Sequence, residues 1–176
     1  MKHLLQEPFT KEQFAGLKAG DIVLLTGTIY AARDAAHKKL QEMILNGEEL
    51  PFDLQDALIY YAGPTPARPG KPIGSAGPTT SYRMDPYTPL LLSKGVLATI
   101  GKGPRGEAIM EAMKENGAVY LAAIGGAAAL IAQCVKSAEV VAFAEMGTEA
   151  IRALKVKELP LVVACDSHGG NVYDQG

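Results

Sequence analysis

The chain predicts an α/β domain on a mainly parallel central sheet with helical crossovers, and three observations carry that expectation. From Gly95 onward, short apolar runs alternate with amphipathic runs in β-α-β-α order, the order that lets helices carry the chain between parallel strands. An earlier strand-like run at 21–25 is likewise followed by a helical pattern. No linker long or polar enough to divide residues 1–176 interrupts this, so a single domain is expected.

The elements follow in order. Thr10-Lys11-Glu12-Gln13 has the spacing of a capping box, which predicts a short helix toward Leu17 that Gly20 ends. Residues 21–25 read as a strand and Thr26-Gly27-Thr28 as a turn. Next comes a helix with Ala36, Leu40, Met43 and Ile44 on one face and Asn46-Gly47 as its stop. Arg33 and His37 share another of its faces, one turn apart. Residues 57–62 read as a strand. The stretch 63–89 is rich in Pro and Gly and longer than an ordinary connection, and long ordered loops in compact domains are usually functional. Beyond it the pattern gives strand 96–100, helix 104–116 stopped by Gly117, strand 118–124, helix 126–135, strand 140–144, helix 148–154 and strand 161–165.

Bulk composition narrows the function. The 176 residues are 48% apolar and 20% charged, enough for one well-buried core. Seventeen basic and nineteen acidic side chains leave a net charge of -2 with no block of like charge, so the broad positive field that tracks a nucleic acid is missing. Residues 1–14 are broken by Lys2, Glu7, Lys11 and Glu12 and lack the apolar core of a secretion signal, which points to the cytoplasm. The longest apolar stretch, 118–132, is interrupted by Gly125-Gly126 and falls short of the ~20 residues a membrane helix needs. Cys134 and Cys165 form no C-x-x-C pair and read as small buried hydrophobes. Two thiols are also too few for an iron-sulfur cluster, which takes four, or about three with one iron left open.

The chemistry concentrates in loops that follow strands. Gly77-Pro78-Thr79-Thr80-Ser81-Tyr82-Arg83-Met84-Asp85-Pro86-Tyr87 sets three hydroxyls, an arginine and a carboxylate between prolines. Proline and glycine make this an ordered loop that presents Thr79, Thr80, Ser81 and Arg83, and a guanidinium fork matches carboxylate or phosphate. Arg33 lies in or near the first turn of its helix, beside the positive end of the dipole. Its neighbour Asp34 is spaced for a surface i, i+4 pair with Lys38. Gly101-Lys102-Gly103-Pro104-Arg105-Gly106 opens another helix and lacks the P-loop spacing, so Lys102 reads as a point charge for a small anion. Ile124-Gly125-Gly126-Ala127 reads as structural. Glu145 and His168 read as capping or core-satisfying groups. His3 is remote, and without H-x-x-H or H-E-x-x-H spacing a self-contained zinc site is not expected.

GPTTSYRMDPY, ARDAAHK and IGKG, in an order that spans nearly the whole chain, resemble the β subunit of class I fumarase and its relative, L-tartrate dehydratase. The resemblance implies a swivelling β/β/α domain. It further implies one half of an iron-sulfur hydro-lyase that interconverts fumarate and malate, inactive without an α subunit that carries a four-iron four-sulfur cluster. By motif position, Arg33, Arg83 and Lys102 match the cations that hold the two carboxylates, and Thr79 matches the group that takes a proton from carbon. The RMDPY ending resembles fumarases more than tartrate dehydratases. A tartrate dehydratase β subunit and a non-catalytic anion-binding module remain the alternatives.

Overall fold

In the computed structural model, described for residues 1–62, 69–72, 77–123 and 128–174, two long strands organise everything else. Strand β1 (Lys2–Gln6) leads through α1 (Lys11–Ala15) to the ten-residue strand β2 (Ile22–Ala31). The capping box at α1 is complete: the Gln13 amide donates to Thr10 Oγ1, and the Gln13 side chain accepts from the Thr10 amide. Helix α2 (Asp34–Leu45) connects β2 to β3 (Leu58–Tyr60). A 3-10 turn (Ser81–Met84) and α3 (Thr88–Ser93) precede β4 (Ala98–Gly101), and α4 (Glu107–Asn116) leads to β5 (Val119–Ala123). After α5 (Ala128–Cys134) come β6 (Val135–Ala142), a second 3-10 turn (Ala144–Glu149) and the 15-residue strand β7 (Ile151–Cys165).

The expectation of a mainly parallel sheet in a swivelling β/β/α domain is overturned. The sheet is mixed, in the order β1-β2-β3-β4-β5-β7-β6, and an additional β2–β7 ladder closes five strands, β2, β3, β4, β5 and β7, into a barrel. Neighbours from β1 to β5 pair in parallel, whereas every ladder made by β7 is antiparallel. The error lay in the C-terminal third. Residues 148–154, read as a helix, divide between the second 3-10 turn and the start of β7, so strand 161–165 is only the tail of one continuous strand.

Three local features underlie the difference. From Leu154 to Glu158 the alternation Leu-Lys-Val-Lys-Glu is a period-2 signal, buried at Leu154 and Val156 and exposed at Lys155 and Lys157. Pro160, normally a mark against a strand interior, sits where β7 changes partner, between the residues paired with β6 (151–156) and those paired with β5 (161–165). Thr26-Gly27-Thr28 is a bulge in β2 and not a turn. The β2–β7 register shifts between Leu25 and Gly27, Glu158 takes φ 51, and its amide donates to Thr26 Oγ1 at 3.0 Å.

Two apolar layers result. Alternate strand residues such as Leu25, Ile29, Leu121, Leu154, Leu161 and Val163 fill the barrel interior, with Phe14 and Leu17 from the α1 region. Their neighbours, among them Ile59, Tyr61 and Tyr120, face outward under Leu40, Leu91, Ile109 and Met113 of α2, α3 and α4. That outer layer supports the loops with the chemistry. Ile124-Gly125-Gly126-Ala127 and residues 63–68 and 73–76 of the long connection lie outside the described residues. No helix among the described residues is long and apolar enough to cross a membrane.

Candidate functional site

The four cationic and hydroxyl groups singled out in the sequence all follow the carboxyl ends of three adjacent parallel strands. Arg33 follows β2, Thr79 and Arg83 lie in the connection leaving β3, and Lys102 follows β4. Ligands gather at such an edge because strand ends and helix amino termini leave backbone donors and open space there.

Thr79 and Lys102 come together through the backbone. The Thr79 amide donates to the Tyr61 carbonyl at 2.6 Å, the Ser81 amide donates to the Lys102 carbonyl at 2.9 Å, and Thr80 pairs with Lys102 as a parallel bridge. The loop thus adds a short strand beside the end of β4. Gly101 makes the approach possible, since a Cβ there would collide with Ser81 Oγ and lie 2.8 Å from the Tyr61 ring. The Ser81 hydroxyl donates to Tyr120 OH at 2.7 Å, and Tyr120 OH donates to the Gly103 carbonyl at 2.8 Å. Burial pushes the Tyr120 phenol up, so it stays a neutral donor.

Arg83 reaches Asp34, the residue that follows Arg33 in the chain. Arg83 Nη2 lies 2.8 Å from Asp34 Oδ2, with side chains 45% and 33% exposed, so Asp34 pairs across the fold and not with Lys38 as the helix spacing predicted. Asp34 Oδ1, Arg33 Nε and His37 Nε2 are enclosed and have no hydrogen-bond partner among the described residues. The α2 amino terminus has no cap from its own residue, Arg33; instead Glu149 Oε1 accepts from the Ala35 amide at 3.3 Å. Lys102 makes no ion pair among the described residues, and its side chain is exposed.

Beneath this surface lies a group that sequence reasoning missed. The Arg105 guanidinium is fully enclosed: Nε donates to Asp85 Oδ1 at 2.7 Å, Nη2 to Thr88 Oγ1 at 2.8 Å, and Nη1 to Tyr61 OH and Thr99 Oγ1, each at 3.1 Å. It also stands over the rings of Tyr61 and Tyr120, 5.2 and 5.1 Å from their centroids. Burial opposes its charge, but Tyr61 and Asp85 outweigh that, and the net shift holds it protonated. The second Asp85 oxygen accepts from the Gly106 amide at 3.2 Å and so caps α4. Both partners stood in the quoted motifs. What the sequence lacked was any sign that Arg105 points inward, where it ties the 79–87 loop to β4 and α4.

His37 is buried against Tyr61 and Tyr87, and its Nδ1–H donates to the Arg33 carbonyl at 2.8 Å. Burial lowers its pKa most, the Arg33 hydrogen bond raises it and nearby Arg105 lowers it further, to about 4. The imidazole is therefore neutral at pH 7 and holds the backbone of Arg33. This gives a signed expectation. The unfolded chain takes up a proton below its ordinary value of 6.5 that the folded protein refuses until about 4, so stability is intact above pH 6.5 and declines by roughly 3 kcal/mol between those values. Urea midpoints for the wild type and His37→Phe at pH 7 and pH 4.5 measure it; parallel losses in both proteins would exclude His37 as the cause.

The remaining candidates serve elsewhere. Glu145 pairs with Lys39 at 2.9 Å, and that hydrogen bond lowers its pKa. The His168 ring contacts the Ala15 carbonyl, and the His168 amide donates to Asp166. His3 pairs with Asp21 beside the amino terminus. A shallow cavity of about 650 Å³ lined by Glu7, Phe9, Thr28, Tyr30 and Asp53 contains none of the four candidate side chains.

The described residues do not fit a resident metal cluster. They hold no convergence of three or more His, Cys, Asp or Glu side chains. Cys134 has its thiol pushed up by burial and lies beside Glu158, while Cys165 ends β7 inside the outer layer.

Fold and edge together define a mixed-barrel domain that gathers Arg33, Thr79, Arg83 and Lys102 beyond the carboxyl ends of three adjacent parallel strands. Residues 2–176 match the family model described as fumarase C-terminus, and the chain belongs to that family. It is 42% identical over 175 residues to a putative class I fumarate hydratase of Geobacillus stearothermophilus, covering 97% of this chain and 33% of that protein. The anaerobic class I fumarate hydratase of Escherichia coli is 44% identical over 153 residues, covering 86% of this chain and 28% of the relative. A putative L(+)-tartrate dehydratase subunit beta of Methanocaldococcus jannaschii is also 44% identical, over 172 residues, covering 94% of this chain and 88% of the subunit. The chain therefore spans about a third of the fumarate hydratases it matches and nearly all of the separate β subunit.

Proposed function

We propose that this chain is the β subunit of a hydro-lyase that interconverts fumarate and malate, active only with an α subunit that carries a four-iron four-sulfur cluster. The observation that carries the reading is the gathering of Arg33, Thr79, Arg83 and Lys102 at one edge of three parallel strands in a fumarase-family chain. Arg33, Arg83 and Lys102 hold the two substrate carboxylates. A dicarboxylate needs two anchored charges, and charge gathering on one carboxylate in the transition state strengthens bonds from immobile cations. Thr79 exchanges the proton at carbon. The match along 88% of a separate tartrate dehydratase subunit supports a free-standing β chain with an α partner. Two free cysteines suit a reducing, cytoplasmic setting.

The same match favours a second reading, L-tartrate dehydration. Reconstitution with the α chain under anaerobic conditions, assayed with malate, fumarate and both tartrate isomers, separates the two. The expected result is turnover of fumarate and malate by the assembled enzyme and none by this chain alone. Preference for tartrate would replace the substrate, and no turnover of any of these acids would remove the enzymatic reading.

A further inference from the structure

We propose that Asp34 is a positioning residue that orients Arg83 toward a substrate carboxylate, an inference that rests on the dicarboxylate reading above. The ion pair uses one oxygen of Asp34 and leaves the other without a partner among the described residues, so it is not the bidentate fork an arginine forms with a carboxylate it fully engages. An edge of the guanidinium remains for an incoming acid. Asp34 is itself held firmly as the first residue of α2, whose positive end favours its charge, and His37 fixes the preceding carbonyl. On the other side, the Ser81–Met84 turn that carries Arg83 is anchored by the Ser81 bonds to Lys102 and Tyr120. Asp34 thus couples the α2 half of the site to the loop half.

Removing the Asp34 charge has two opposed consequences. A carboxylate beside an anion site repels substrate, so its loss alone would tighten binding, but the pair is partly exposed and this repulsion is screened. Arg83, half-exposed and released from its anchor, would regain rotamer freedom that substrate must then remove. The second effect is the larger.

The test uses the enzyme assembled with its α subunit. Asp34→Asn is expected to raise KM for malate about tenfold with kcat changed far less. It is expected to weaken inhibition by succinate by a similar factor while leaving propionate, which needs one anchor, within about twofold. Asp34→Glu, which restores a carboxylate, is expected to recover much of the loss, and melting temperatures check that each variant is folded. An unchanged or lower KM, or equal weakening of both inhibitors, overturns the proposal. A wild-type enzyme indifferent to succinate overturns the dicarboxylate reading together with this one, whereas a succinate-sensitive wild type with an unaffected Asp34→Asn variant overturns this inference alone.

Discussion

Arg105→Leu is expected to lower unfolding stability by about 3–5 kcal/mol, read from urea or thermal unfolding. Exchanging a buried ion pair for apolar groups is often neutral, but only when both partners go. Here one partner leaves, and Asp85, 22% exposed, loses its charge partner. Tyr61, Thr88 and Thr99 lose a shared donor in the same step. Asp85 retains the Gly106 amide, which places the effect nearer the lower figure. Asp85→Leu combined with Arg105→Leu is expected to recover part of the loss, since no unpaired carboxylate remains. A single-variant loss under about 1 kcal/mol would show that the pair contributes little and that the 79–87 loop is held by its backbone bonds instead.

Thr79→Val in the assembled enzyme is expected to reduce kcat about 10²- to 10⁴-fold, the range for loss of a proton-transferring group, with a small change in KM. Valine matches threonine in shape, and among the described residues the loop hydrogen bond at this position comes from the Thr79 amide, which the substitution keeps. A structural collapse is therefore not the expected cause of the loss. A hydroxyl is a weak base unless neighbouring cations lower its proton affinity, and Lys102 on the adjacent segment is the group suited to that. Thr79→Ser retains the hydroxyl and should retain far more turnover. Undiminished turnover in the valine variant would remove Thr79 from the reaction and leave its loop a purely binding role.

The sequence and the fold part company at identifiable places. Helices α1, α2 and α4 were legible because their signals are local: the Thr10–Gln13 box, the apolar face of Ala36 and Leu40, and Gly117 in the left-handed conformation at the α4 terminus. Strand β1 and helix α3 were not foreseen, and β7 was read as the end of a helix over 148–154 and a short strand over 161–165. A strand is defined by what it pairs with, and β7 pairs with β2, up to 140 positions away at Ile22 and Val162. For the site, Arg83 and Lys102 stood out by residue type and are exposed, whereas Ser81, read as a presented hydroxyl, is buried against Tyr120. Asp34 was assigned to the wrong partner, because Lys38 is near in sequence while Arg83 is near in space.

By itself the sequence determined where several helices begin and end and membership of a family with a recognisable loop series, and it singled out Arg33, Thr79, Arg83 and Lys102 as candidates. Those properties depend on side-chain chemistry and on contacts within a turn of helix. Only the tertiary structure decided that the sheet closes into a mixed barrel, that Arg105 is buried as a tie, and that Asp34 answers Arg83. Each of those depends on groups that distant segments bring within a few ångströms, where burial strengthens the interaction and sequence spacing carries no information about it.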